Sequence, residues 1–285
     1  MKGERILKNE LIKYKVKNDI IFSYIFSKED ILKEFLQAIL KWDIEKVEVQ
    51  NQFRLDREHF NDKLGVIDIK ATINDDTLVN VEMQNRVHKN YEKRVYLYFG
   101  NLARKTIKKG MTYDKMKDIV AINILNESMF SDIDKVHSIW QLRENDYLDA
   151  EPLKGLEVHF IDLERFRMSN PNLDDKLNQW LAFVDTENEK WVRTVMDKNN
   201  KINEALKLKD DFTCDDEALD LIEQRLIWEI DYNTFIKEAK EEGEEKGENN
   251  AKLKIAKSML KKNMDIDTIS EITGLAKDEI IKLKS

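Results

Sequence analysis

Apolar side chains in "NDIIFSYIFSKEDILKEFLQAILKW", residues 18–42, recur every three or four positions, at Ile21, Phe22, Ile25, Phe26, Ile31, Leu32, Phe35, Leu36 and Ile39. That period predicts two packed helices joined near Ser27, with Asp19 at the entrance of the first. The period then changes. Residues 46–55 alternate weakly, and 64–73 and 78–84 alternate clearly around "NDDT", which predicts strands. "NYEKRVYLYFGNLARKTIKKG" returns to helical spacing and ends on Gly110, and "DIVAINIL" reads as a buried strand, so a helix crosses over between two strands. Residues 156–166 are a further strand candidate. Beyond Pro171 the pattern is helical, through an acidic, glycine-interrupted "KEEGEEKGENN" that reads as a linker or an exposed helix, to a small helical tail at 251–285.

The hairpin "IDIKATINDDTLVNVEMQ", residues 67–84, constrains its own register. Ile67, Ile69, Ala71 and Ile73 share one face with Val79, Val81 and Met83, and Asp68 and Lys70 share the other with Asn80, Glu82 and Gln84. In an antiparallel pair the numbers of opposed residues sum to a constant, and matching the apolar faces requires that sum to be even. A two-residue turn is thereby excluded. A three-residue turn at Asn74, Asp75 and Asp76, residue types that tolerate the left-handed conformation, gives 150 and sets Asp68 opposite Glu82. Opposed Cβ atoms lie roughly 4.5–5.5 Å apart, where like charges repel. Two readings follow. The polar face is solvated, with Lys70 neutralising a carboxylate, or a divalent cation joins Asp68, Glu82 and the Met83 carbonyl.

Composition narrows the choice of partner. The 285 residues carry a net charge of −8, which speaks against a uniformly basic nucleic-acid binder, yet residues 86–117 hold ten Lys and Arg against Glu92 and Asp114. Lys93, Arg94, Arg104 and Lys105 in this stretch are candidates for holding a phosphate backbone. The lone Cys214 excludes a disulfide framework and any cysteine-based zinc site, and suggests a reducing compartment, the cytoplasm. No apolar run approaches a membrane span. The four histidines, 59, 88, 137 and 159, show no metal-ligand spacing.

"KLGVIDIKATINDDTLVNVEMQ" resembles the catalytic hairpin of the PD-(D/E)XK nuclease superfamily, in particular its recombination-promoting nuclease and transposase (Rpn-like) family, whose signature is an Asp, a variable turn and Glu-x-Gln. The resemblance extends to "KNDIIFSYIF", to residues 94–125 and to "AKSMLKKNMDIDTISEITGLAKDEI". It implies an α/β fold of restriction-endonuclease-like type, a mixed sheet flanked by helices, followed by an α-helical C-terminal region. It also implies a Mg²⁺-dependent endodeoxyribonuclease, with Mn²⁺ as a substitute ion. Asp68 and Glu82 match the metal-binding carboxylates, Gln84 stands where the wider superfamily has Lys, and Asp19 matches a further family position. The expected organisation is a nuclease domain over 1–235 and a linker with helical tail over 236–285. The two short helices around Gly274 suggest a helix-turn-helix or a packing module, and the C-terminal helices are candidates for self-association. The rival expectation is a catalytically weak or silent DNA-binding or protein-interaction component of a mobile element or defence system.

Overall fold

The computed structural model describes residues 14–50, 68–87, 89–147 and 149–283. Helices α1 (Asp19–Phe26) and α2 (Glu29–Leu40) form where the helical period begins, broken at Ser27 as expected. Asn18 caps α1, its side chain accepting from the amides of Ile20 and Ile21. Phe22, Phe26 and Phe35 pack tightly between the two helices, with Trp180 against them.

Six strands form one mixed sheet in the order β1-β2-β3-β4-β6-β5. They are β1 (Val47–Val49), β2 (Ile69–Ile73), β3 (Thr77–Gln84), β4 (Asp118–Leu125), β5 (His137–Trp140) and β6 (Leu156–Asp162). Between β3 and β4, helix α3 (Tyr91–Thr106) makes the crossover, and β3, β4 and β6 run parallel. β1 antiparallel to β2 and β5 antiparallel to β6 close the two edges. The predicted strands at 46–55 and 64–73 extend beyond the described residues, as do Ile67, His59 and His88. β5 carries only four residues and has no clear alternation, so it was not foreseen.

The β2–β3 turn has the predicted register. Ile69 pairs with Val81 and Ile73 with Thr77, leaving Asn74, Asp75 and Asp76 as the loop, with positive φ at Asn74 and Asp75. Asn74 also clamps the approach to β1, its side chain accepting from the amides of Glu45 and Lys46 and donating to the Asp43 carbonyl.

After β6 the chain is helical: α4 (Leu163–Met168), α5 (Lys176–Asp185), α6 (Glu189–Lys198), α7 (Asn200–Thr213), α8 (Asp216–Lys261), α9 (Ile266–Thr273) and α10 (Lys277–Lys282). Two compact units divide the chain between Ile222 and Glu223. The acidic stretch read as linker or exposed helix is continuous helix inside α8, braced by Lys237–Glu241, Lys246–Glu242 and Lys252–Glu248 pairs four residues apart. In the C-terminal unit, Ala256, Ile269, Leu275 and Ile280 build a small core, and Gly274 ends α9 in the left-handed conformation at φ 71°. Among the described residues no helix is long and apolar enough to cross a membrane.

Candidate active site

β3 is buried on both faces. Val79, Val81 and Met83 enter the core on one side together with Ile69, Ala71 and Ile73. On the other side Leu78 packs with Ile119 of β4 and Leu102 of α3. Tyr91 and Val95 of α3 continue that cover over Leu125 and Phe160. The face read as solvent-facing or half solvent therefore lies beneath a helix. Asn80, Glu82 and Gln84 are only 3–6% exposed. The reason is remote in sequence: the parallel pairing of β3 with β4 places α3 across the polar face.

Continuing the β2–β3 register by one residue sets Asp68 opposite Glu82, and the charge of Asp68 acts on Glu82. Each carboxylate has its own cation. Lys70 Nζ lies 2.7 Å from Asp68 Oδ2, and Arg94 Nη2 donates to Glu82 Oε1 at 3.0 Å. Arg94 also lies over the Tyr98 ring, 5.2 Å from its centroid. Burial pushes the Glu82 carboxyl up to about 7; Arg94 pulls against that rise, Asp68 adds to it, and Lys70 opposes it. Burial and the neighbouring Glu82 push the Tyr91 phenol up as well. That phenol donates to Asn123 Oδ1, and Asn123 donates on to the His159 carbonyl.

Gln84 donates from Nε2 to the Arg86 carbonyl, while its Oε1, like Asn80 Oδ1, is buried with no hydrogen-bond partner. A buried acceptor without a donor is costly, on the order of 1–3 kcal/mol. Oxygen donors beside two carboxylates fit a hard divalent cation, which takes carboxylate, amide and water oxygens. Among the described residues no cluster of three or more His, Cys, Asp or Glu offers a site richer in side-chain ligands.

Of the remaining predicted residues, Asp19 is buried at the start of α1, where its carboxylate accepts from the Ile20 amide. This end of α1 abuts the end of β3, because Asn85 Nδ2 donates to the Lys17 carbonyl. Met83 lies between Glu82 and Gln84 with its side chain in the core. Lys93, Arg104 and Lys105 are exposed on α3, while Arg94 turns inward. Sequence reasoning missed that inward turn. The signal was present: Arg94 falls between Tyr91, Val95 and Tyr98 on the helix stripe whose other members are apolar or aromatic.

No curated protein and no solved structure matches the chain. Two family models do. Residues 249–285 match the C-terminal helix-turn-helix domain of the Rpn/YhgA-like nuclease family, covering the small core around Gly274. Residues 16–239 match the PD-(D/E)XK nuclease family transposase, so the buried Asp68–Glu82 hairpin and the mixed sheet that carries it belong to a member of the PD-(D/E)XK nucleases of Rpn type.

Proposed function

We propose that the chain is a metal-dependent DNA endonuclease hydrolysing phosphodiester bonds, its ion held by Asp68, Glu82 and the Met83 carbonyl. The observation that carries this reading is the pairing of the buried Glu82 with the partly buried Asp68 on a sheet face that also holds the unpartnered oxygens of Gln84 and Asn80. All these donors are oxygens and two are anionic, which suits Mg²⁺, with Mn²⁺ as its substitute. Such an ion supplies a bound water of lowered pKa and a countercharge for the phosphoryl transition state. Gln84 orients the attacking water through Oε1, since Nε2 is committed to Arg86. Asp19, at the same end of β3, supports that arrangement from α1. Lys70 and Arg94 balance the carboxylates and present positive charge toward a phosphate.

Lys93, Arg104 and Lys105, with Arg94 behind them, hold the DNA backbone, and the C-terminal helix-turn-helix provides a second DNA contact. In this reading residues 1–235 form the nuclease domain and 236–285 the acidic segment and tail, with self-association through the C-terminal helices. The setting is the cytoplasm, in keeping with the single, exposed Cys214, and the biological step is DNA recombination or transposition.

Plasmid nicking with Mg²⁺, Mn²⁺, Ca²⁺ or chelator tests the reading. Cleavage is expected with the first two ions only. Undiminished cleavage in chelator would remove the metal. DNA binding without cleavage under any ion would leave a silent DNA-binding component of a mobile element or defence system.

A further inference from the structure

Helix α3 has two faces with different chemistry. Tyr91, Val95 and Leu102 are buried inward, and Arg94 reaches Glu82 from the same side. The outward stripe carries Lys93, Tyr96, Leu97, Gly100 and Arg104. Tyr96 is 72% and Leu97 65% exposed between Lys93 and Arg104. Gly100 sits one turn from Tyr96 and one from Arg104. A glycine inside a helix costs about 1 kcal/mol relative to alanine. No packing explains this one, for a Cβ there would meet nothing within 4 Å. Aromatic and aliphatic surface, a glycine that leaves the backbone bare, and flanking positive charge together match a strand whose bases are unstacked and whose phosphates are anionic. A duplex hides its base faces, so only an unstacked base offers Tyr96 a stacking partner.

We infer that the outward face of α3 is a seat for single-stranded DNA, with a base stacking on Tyr96, the strand passing over Gly100, and Lys93 and Arg104 on the phosphates. The inference rests on the nuclease reading for DNA as the ligand, the seat lying on the face of α3 opposite the one that covers Glu82, and it names single-stranded or locally opened DNA as the substrate class.

Binding of a labelled oligothymidylate strand and of a duplex to the full chain, in chelator so that nothing is cut, separates the two readings. Because the helix-turn-helix contributes its own affinity, the variants are decisive. Tyr96→Ala is expected to weaken single-strand binding about tenfold, with the salt slope and duplex binding unchanged, and Tyr96→Phe to retain it. Gly100→Ala is expected to raise the unfolding temperature while lowering single-strand affinity several-fold. Equal losses for strand and duplex, or a Gly100→Ala protein that is more stable and binds as before, would overturn the seat. Preference for the strand in a protein that cuts nothing under any ion would keep the seat and sink the nuclease reading.

Discussion

Two titratable clusters sit on the same sheet, one around the buried Glu82 and one around the buried His159, and they differ in how their polar atoms are used. At the β5–β6 edge, Glu157 Oε1 meets His159 Nε2 at 2.6 Å, and Glu157 Oε2 accepts from Gln141 at 2.6 Å. The other ring nitrogen of His159 meets His137 at 2.8 Å. That chain of contacts is closed. At the β2–β3 hairpin, each carboxylate has one cation and the oxygens of Gln84 and Asn80 have no donor. Burial drives both clusters toward their neutral forms, raising Glu82 to about 7 and lowering His137 to about 4. A perturbed pKa therefore does not separate a structural cluster from a reactive one. What marks the hairpin is a combination: buried atoms without partners also occur elsewhere, as at Asp185 Oδ2, but at Gln84 and Asn80 they share a sheet face with two carboxylates.

The sharpest way to break this contrast is to remove one carboxylate. Asp68→Ala or Glu82→Gln is expected to lower plasmid cleavage by roughly a thousandfold, the loss of about 4 kcal/mol of metal-derived stabilisation. The unfolding temperature should not fall with Glu82→Gln, since a buried charge is removed; a large drop in stability with cleavage intact would make the hairpin the structural cluster. The opposite pattern is expected at the other edge. Glu157→Ala strands the buried His159 and should cost about 1–3 kcal/mol in denaturant unfolding, with the cleavage rate per folded molecule unchanged.

His137 sharpens the comparison through pH. Its folded value near 4, set by burial first and by the charges of His159 and Lys41, with Glu157 opposing, lies below the usual 6.5. Between those values the unfolded chain binds more protons, so stability is present above about 6.5 and is lost as pH falls toward 4. His137→Gln should flatten that part of the unfolding-temperature profile, and an unaltered profile would assign the acid sensitivity elsewhere. The smallest effect concerns charge on α3. Neutralising Lys93, Arg104 or Lys105 should each lower the salt slope of DNA binding by about 0.7–0.9. Arg94→Gln should alter cleavage more than the slope, because its guanidinium faces Glu82.

How much of this was legible follows the range of the interactions. The hairpin register came from a two-residue period and the tolerance of Asn74 and Asp75 for positive φ, both local properties, and Ile69 pairs with Val81 as those properties require. The break between α1 and α2 and the turn at Gly274 were local in the same sense. The burial of Asn80, Glu82 and Gln84 was not legible, because it depends on β4 pairing with β3 and laying α3 across them. Nor was the partner of Arg94, which depends on the same docking. Between the two readings of the acidic stretch, linker or exposed helix, Gly243 and Gly247 could not decide, and α8 takes the helix, with salt links four residues apart around them.

The three-residue turn at Asn74–Asp76 also has a consequence for the order of assembly. Hairpins joined by so short a loop close within roughly microseconds, whereas a parallel pair bridged by a helix must first close a long loop. Asp68 and Glu82 thus face each other across a hairpin that needs neither β4 nor α3, in open water and without the burial that raises Glu82. Only when β4 and α3 dock does Glu82 climb to about 7. On that ordering a chain would acquire its carboxylate pair first and the dry walls around it afterwards, so the hairpin alone would hold the charges of the site without the surroundings that tune them.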